Sequence, residues 1–345
     1  MSVYCLELAG EEDAFAVAEA TTAAADTELW APGIARAQSV SGVGRLGYTR
    51  TAVELLGHGD ATVDAAVRTL AAAPLNVSGT VAVRARDVRG SSGVSTARAE
   101  RALGSVLTDA GFQVDLDEPD NVLRAVFAKG PVSDHAVVAG ADGTHRSVSA
   151  VGWVTAESRR DFAPEPTDRP FFQPGSMASV DARAYANIAG ARPGSVFLDP
   201  MCGTGGLLVE AGRVGAEPIG VDAQQKMVTG TRENAAALLS SPVTAVRGDA
   251  TALPLHTDAV DAVAMDVPYG RQSKVARHDL ASLVGGALRE AHRVAPRAVV
   301  IADRAWDTVA VDAGWHVTAT FRRRVHRSLT RHVHVLDRPP EEPAV

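Results

Sequence analysis

Apolar residues recur along the second half of the chain in short runs, which alternate with longer stretches of helical periodicity. Regular alternation of strand and helix predicts a parallel, doubly wound α/β sheet. We expect the strands at residues 195–200, 218–223, 243–250, 261–268 and 297–304, and the helices at 205–215, 226–239 and 279–295.

Two further apolar runs, 315–325 and 328–338, follow each other with no helical stretch between them. They predict an antiparallel hairpin that turns near His326. Five parallel strands closed by such a hairpin resemble the Rossmann-like sheet of class I methyltransferases.

The first half of the chain is less regular and predicts a mixed α+β region. Strands are expected at 3–10, 49–57 and 80–88, helices at 11–25, 61–73 and 95–111, and two strands joined at Pro119-Asp120 within 113–130.

A single change in composition separates the two halves. Residues 155–178 contain four prolines and charges of both signs, which is typical of a linker. The predicted organisation is therefore an N-terminal α+β domain at 1–154, a linker at 155–178 and a C-terminal α/β domain at 179–345.

Composition narrows the class of protein. Hydrophobic residues make up 46% of the chain, yet no stretch is long and apolar enough for a membrane span, and we see no signal peptide. Cys5 and Cys202 cannot form a disulfide framework. We therefore expect a cytoplasmic protein that does not bind membranes.

The net charge of -7 is unusual for a protein that binds nucleic acid, because phosphate contacts need basic surface. Lysine occurs only at Lys129, Lys226 and Lys274, and the other cations are arginines. An acidic chain with so little lysine fits a salty cytoplasm and GC-rich codon bias equally well. In high salt, RNA affinity would depend on close arginine contacts, stacking and shape.

The segment FLDPMCGTGG at 197–206 is the strongest candidate for ligand binding. An apolar strand runs into Asp199, and a glycine-rich turn follows that includes Cys202, Gly203 and Gly205. Glycines let backbone amides approach a ligand closely, and the turn leads into a helix N-terminus. The spacing does not match the dinucleotide motif G-x-G-x-x-G.

Two acidic residues follow the next two strands. Asp222 ends the second strand, where a carboxylate can bind both hydroxyls of a ribose. Asp249 is expected to end the third strand, where it can accept a hydrogen bond from an adenine amine. Either acid could instead cap a helix, and NAD would use the same ribose contact. Together they favour an adenosine-containing cofactor at the carboxyl edge of the sheet.

The fourth strand ends in AMDVPYG, which resembles the D/N-P-P-Y signature of methyltransferases that act on exocyclic amines. Asp266 and the carbonyl of Val267 can accept hydrogen bonds from the amine, and Asp266 can take its proton. Tyr269, after Pro268, offers a ring on which a base can stack. Val267 stands where the family usually has proline, which should make this turn less stiff.

The order of these motifs resembles the archaeal tRNA (guanine-N2-)-methyltransferases that modify guanosine 10. The resemblance includes the opening YCLELAGEEDAFAVAEA and the interdomain segment RPFFQPGSMASVDARAYANIA at 169–189. It implies an N-terminal THUMP module that binds tRNA, S-adenosylmethionine as cofactor, and Phe172 and Ser176 near the methionine end of that cofactor. It does not settle which guanosine is modified, or whether it receives one methyl group or two.

Other hypotheses stay open. The enzyme could methylate guanine N2 elsewhere in tRNA or ribosomal RNA, or adenine N6. The chain could be a non-catalytic RNA-binding protein, which the intact acids disfavour, or an NAD-dependent dehydrogenase, which the glycine spacing disfavours. We expect no metal, because His332 and His334 lack accompanying ligands, and we infer no protein partner. The run FRRRV at 321–325 is expected to be a solvated strand face rather than its alternative, an RNA-binding patch.

Overall fold

The structure, a computed structural model, describes residues 2–132, 144–269 and 277–340, with the side chains of 277–279 left out. The chain forms two compact units, Met1–Arg160 and Asp161–Val345. The strand that precedes the division continues to Glu157, so the first three residues of the predicted linker are in β-structure.

The first unit is built from short strands and three helices. Its elements are β1 (Tyr4–Leu8), α1 (Asp13–Ala20), β2 (Ala24–Ala25), β3 (Glu28–Ala31), β4 (Ile34–Ala37), β5 (Ser39–Val40), β6 (Thr49–Gly59), α2 (Val63–Ala72), β7 (Val81–Asp87), α3 (Thr96–Asp109), β8 (Asn121–Pro131) and β9 (His145–Glu157).

Seven of these strands form one sheet in the order β3-β4-β1-β6-β9-β8-β7. Strands β7 and β8 pair in parallel, and the other neighbouring strands of this sheet pair antiparallel. Helices α2 and α3 pack on one face around Leu103 and Phe127. Their N-terminal caps are side chains: Thr62 and Ser95 each accept a backbone N–H in the first turn.

Two predictions for this unit are wrong. The first helix ends at Ala20 rather than near residue 25, because Ala24 and Ala25 pair with Ser39 and Val40 in a small ribbon. Residues 113–130 contain one strand rather than two. Before β8, only Val114 forms an isolated bridge.

The second unit alternates strand and helix. Its elements are α4 (Ser179–Ala189), β10 (Val196–Asp199), α5 (Gly206–Arg213), β11 (Glu217–Asp222), α6 (Gln225–Leu238), β12 (Thr244–Arg247), β13 (Ala262–Asp266), α7 (Arg277–Val294), β14 (Arg297–Ala302), α8 (Asp307–Asp312), β15 (His316–His326) and β16 (Leu329–Asp337).

The predicted parallel sheet with its closing hairpin is confirmed. The strand order is β12-β11-β10-β13-β14-β16-β15, in which the first five strands are parallel and the last two antiparallel. Strand β13 is completely buried from Ala262 to Met265, as expected at the centre of such a sheet. Helices α4 and α8 are additions that the apolar pattern did not predict.

The carboxyl ends of β10, β11 and β13 carry Asp199, Asp222 and Asp266 respectively. Asp249 differs from the prediction, because β12 ends at Arg247 and Asp249 lies in the following turn. Ligands of open α/β sheets bind at this edge, so the fold brings the acidic residues to the expected place for a site.

Candidate active site

The glycine-rich turn connects the end of β10 to the first residue of α5. Gly203 and Gly205 have φ angles of +51° and +80°, which lie in the left-handed region that favours glycine. A Cβ atom on Gly205 would also come within 2.9 Å of Thr231 Cγ2. Sterics and backbone conformation therefore both require glycine at 205.

Two buried side chains of α6 hold this turn in place. The Thr231 hydroxyl donates to the Gly203 carbonyl at 2.9 Å, and the Asn234 amide donates to the Thr204 carbonyl at 2.9 Å. Both side chains are fully buried. The Gly203 N–H donates to Asp222 Oδ2 at 3.0 Å, so the turn is fixed from β11 as well.

Asn234 also binds the segment that precedes α4. Its carbonyl accepts the Phe171 N–H and its amide donates to the Phe171 carbonyl, both at 2.9 Å. The Phe171 ring packs on Gly230, where a Cβ atom would lie 2.0 Å from ring atom Cδ1. One asparagine thus ties this segment to the glycine-rich turn.

Ser176 closes the turn from the other side. Its hydroxyl donates to the Gln173 carbonyl at 2.7 Å and lies 3.2 Å from Thr204 Oγ1. A cleft results, lined by Gln173, Pro174, Gly175, Ser176, Met177, Asp199, Met201, Cys202, Gly203, Thr204, Gly206, Leu207, Met227 and Asp266.

The cleft brings together five residues proposed from the sequence: Ser176, Asp199, Cys202, Gly203 and Asp266. The other proposed residues lie outside its lining, and they are Phe172, Gly205, Asp222, Asp249, Val267, Pro268 and Tyr269. Phe172 is 40% exposed, while the neighbouring Phe171 makes the packing contact.

Asp199 lies on the floor of the cleft and is almost completely buried. Burial raises the pKa of its carboxyl well above the usual value, and the nearby carboxylates of Asp266 and Asp222 raise it further. One hydrogen bond, from the Met201 N–H at 3.0 Å, acts in the opposite direction. Three acids thus lie close together at this edge of the sheet, and burial beside the other two favours the protonated form of Asp199.

Cys202 is a space-filling residue in this structure. Its pKa is raised, chiefly by burial, so the thiol is not poised as a nucleophile. A Cβ atom on Gly220 of β11 would lie 3.1 Å from its sulfur, and the sulfur lies 3.7 Å from Thr231 Oγ1.

Asp222 and Asp249 differ in their surroundings. Asp222 is half-buried and accepts backbone N–H groups from Gly203 and, at 2.8 Å, from Gln224. Asp249 is exposed and accepts both the N–H and the hydroxyl of Thr251 at 2.8 Å, which lowers the pKa of its carboxyl.

Asp266 ends β13 and is half-buried at the cleft. Burial raises its pKa to about 6, while the Arg331 charge and a hydrogen bond from Tyr269 act to lower it. The Tyr269 hydroxyl donates to Asp266 Oδ1 at 2.9 Å and accepts from Arg331 Nε at 3.2 Å. Tyr269 thus binds one oxygen of this carboxylate, and the second oxygen lies outside this pair of bonds.

Val267 extends the ladder between β13 and β14. Its N–H donates to the Ile301 carbonyl at 2.9 Å, and its side chain is buried. A proline at 267 would lack this donor. The expected loss of stiffness at this turn is thus offset by a backbone hydrogen bond.

The arginine behind Tyr269 belongs to a buried charged network. Arg331 is 3% exposed and its Nη1 lies 3.4 Å from Asp181 Oδ2, while Arg323 Nη1 lies 2.8 Å from Asp181 Oδ1. Burial acts to lower the pKa of Arg331, yet Asp266 and Tyr269 raise it overall. Helix α4 and the hairpin therefore hold Tyr269 through opposite charges.

Within 2–132, 144–269 and 280–340, no group of three or more His, Cys, Asp or Glu side chains is arranged to hold a metal ion. His334 instead accepts the Trp306 N–H at 3.3 Å and lies 3.4 Å from Asp307. Among the same residues, none of the helices has the length and hydropathy of a membrane span.

Comparison with known proteins identifies relatives of both halves of the chain. Residues 166–332 match the UPF0020 family, described as an RMKL-like methyltransferase domain. The tRNA (guanine(10)-N2)-dimethyltransferase of Methanothermobacter thermautotrophicus is 33% identical over 263 residues, which are 74% of this chain and 73% of that protein. The protein of the same name from Pyrococcus abyssi is 29% identical over 307 residues, 85% of each chain.

Among solved structures, the crystal structure of TrmN from Thermus thermophilus aligns with 98% of this chain and 99% of its own chain, with a TM-score of 0.48 and 23% sequence identity.

Proposed function

The chain belongs to the family of the tRNA (guanine(10)-N2)-dimethyltransferases, and from that premise we propose its reaction and substrate. The protein transfers methyl groups from S-adenosylmethionine to the exocyclic N2 of a guanosine in tRNA, at position 10. The observation that carries the proposal is the position of the Asp266 carboxylate, which ends β13 and lines the glycine-rich cleft.

The chemistry of guanine N2 explains why a carboxylate is needed. Its lone pair is delocalised into the ring, so the amine is a poor nucleophile until an acceptor draws the nitrogen toward a tetrahedral geometry. Asp266 and the Val267 carbonyl act as those acceptors, and Asp266 also stabilises the developing positive charge and accepts the proton. Alignment and exclusion of water supply most of the acceleration.

The cleft suits S-adenosylmethionine in charge and in shape. This cofactor supplies a methyl group on a sulfonium cation and also carries an ammonium group, and both cations suit a sheet edge that carries the acids Asp222 and Asp266. The anionic pyrophosphate of NAD would be repelled there. A Cβ on Gly203 would meet nothing closer than 4.0 Å, so glycine keeps space open at the cleft. Asp222 and Asp249 would bind the ribose and adenine, and Ser176 the methionine end.

Tyr269 completes the acceptor side. Its hydroxyl is held by Asp266 and Arg331, so the ring has a defined orientation on which a guanine can stack. The first unit, Met1–Arg160, would hold the tRNA as a THUMP-type module. In support, the match to the Pyrococcus relative covers 85% of the chain, more than the second unit alone contains.

Nucleoside mass spectrometry of an unmodified tRNA transcript, incubated with the protein and labelled cofactor, tests the proposal. We expect labelled N2-methylguanosine and N2,N2-dimethylguanosine that map to position 10. Asp266→Ala should abolish most labelling, while Asp312→Ala, which changes an exposed acid on α8, should not. Label on adenine, or on a guanosine elsewhere, would reject the proposed substrate.

A further inference from the structure

The hairpin of β15 and β16 extends beyond the edge of the sheet at which the site lies. Asp266 is in register with Ile301 of β14, and Ile301 with Val333 of β16. The five residues that precede Val333, from His332 back to Ser328, therefore reach past the level of Asp266. At the usual rise per strand residue, the turn lies roughly 17 Å beyond the catalytic carboxylate.

Alternation along β15 gives this hairpin two different faces. Arg323 points inward and pairs with Asp181, as does Arg331 across from it. Arg322 and Arg324 occupy the opposite face and are exposed, and Arg327 is exposed at the turn. We call Arg322, Arg324 and Arg327 the outer arginine face.

Within the described part of the second unit, residues 161–269 and 280–340, no acidic residue forms an ion pair with these three arginines. Two acids that act electrostatically on His332 of the hairpin have other partners. Asp303 pairs with Arg304 at 2.9 Å, and Asp307 binds Thr320 at 3.1 Å and lies 3.4 Å from His334.

Most other arginines of the second unit are neutralised by acids or bound to carbonyls. Arg183, Arg293 and Arg338 each have both kinds of partner. In a chain of net charge -7, the outer arginine face is thus a local concentration of uncompensated positive charge beside the cleft.

We propose that the outer arginine face binds the phosphate backbone of the RNA substrate next to the target nucleotide. The proposal rests on the proposed function, because it presumes an RNA acceptor at Asp266. Guanidinium groups match phosphate oxygens in geometry and are weakly hydrated. Residues two apart on a strand are separated by about 6.6 Å, close to the distance between successive phosphates. The run 321–325, expected to be a solvated face, thereby acquires a partner.

Salt dependence of tRNA binding tests the proposal directly. Affinity of an unmodified tRNA transcript is measured by fluorescence anisotropy from low to high salt for Arg322→Glu, Arg324→Glu, Arg327→Glu and the triple variant. Each lost phosphate contact should make the negative slope of log affinity against log salt shallower by about 0.7–0.9. The slope of the triple variant should therefore be shallower by roughly two or more. Arg289→Glu, an exposed arginine on α7, is the control with the same change of charge.

Two outcomes overturn the proposal. One is an unchanged salt slope in the triple variant, and the other is a change of slope in Arg289→Glu as large as that in the single variants of the outer arginine face. Cofactor affinity and melting temperature should match those of the wild type in all variants, which establishes that they are folded. Methylation by the wild-type protein is scored separately. If the proposed function is wrong, that assay will yield no methylated guanosine. The salt slopes of tRNA binding still decide whether the outer arginine face binds RNA.

Discussion

The two sides of the cleft are stabilised by different kinds of interaction. On the turn side, Thr231 and Asn234 hold the glycine-rich loop through neutral hydrogen bonds to backbone carbonyls. On the hairpin side, Tyr269 and Asp266 are held by the charges of Arg331 and Asp181. Neutral hydrogen bonds hold the shape of the turn independently of pH. The charged network also influences the pKa of Asp266, the residue proposed to act on the amine. Cofactor binding and the methyl-transfer step can therefore be perturbed by separate substitutions.

The largest effect should come from Asp266 on the hairpin side. Asp266→Ala removes the acceptor and should reduce the single-turnover methylation rate at saturating cofactor toward the upper end of about 10²–10⁴-fold. Asp266→Asn keeps an acceptor but loses the charge, and should lie at the lower end. Cofactor affinity, measured by calorimetry, should change little in both. Near wild-type rates in both variants would make Asp266 a structural turn residue.

Arg331 should influence the same step through the pKa of Asp266. The carboxylate is the active form, so the rate should rise with pH through a midpoint near 6. Arg331→Met removes a charge that lowers this pKa, and the midpoint should move to higher pH. Loss of the bond to Tyr269 should also reduce the rate by about tenfold, the scale of one hydrogen bond to a charged group.

The pH profile separates this role from a purely structural one. Arg331→Lys retains the charge and should keep the midpoint near that of the wild type, even if the rate falls. Profiles with the same midpoint in Arg331→Met and the wild type would show that Arg331 does not tune Asp266.

The turn side should respond through binding. Asp222→Ala removes the acceptor of the Gly203 N–H and the proposed ribose contact, so cofactor affinity should weaken by about 1–3 kcal/mol. The rate at saturating cofactor should change much less. Calorimetric titration measures the first quantity and single-turnover kinetics the second; an unaltered affinity would remove Asp222 from the cofactor site.

Asp249 should give the smallest effect. It is exposed and already bonded to Thr251, so loss of its proposed contact to adenine should cost about 1 kcal/mol or less in cofactor affinity. Asp249→Ala and Asp222→Ala are compared in the same titration. A larger loss for Asp249→Ala would reverse the ranking of the two acids.

The sequence predicted those elements that a pattern within one short segment of the chain can indicate. Regular alternation of apolar runs and helical stretches indicated the parallel sheet, and the missing helix before residue 328 indicated the hairpin. Asp199, Asp222 and Asp266 were identifiable because each directly follows a buried strand. Asp249 was misplaced at a strand end because strand pairing stops at Arg247, two residues earlier in the chain.

The residues that sequence analysis missed depend on contacts between distant parts of the chain. Asp181 and Arg331 are separated by 150 positions, and nothing near either one indicates the other. Thr231 and Asn234 lie in a helix rich in polar residues, where they look solvated until the turn is packed against them. Their burial becomes apparent only when the backbone carbonyls of the glycine-rich turn are seen to need hydrogen-bond donors.

Gly230 shows how a distant contact limits which substitutions a position accepts. Glycine inside a helix costs about 1 kcal/mol relative to alanine, so in this alanine-rich chain a change to alanine would ordinarily be neutral or favourable. Here the methyl group would overlap the Phe171 ring, whose backbone is fixed by Asn234. A saturation mutagenesis screen should therefore rank position 230 among the positions of α6 that tolerate substitution least, although Gly230 does not line the cleft. The screen would be reporting the fit of one aromatic ring against the helix.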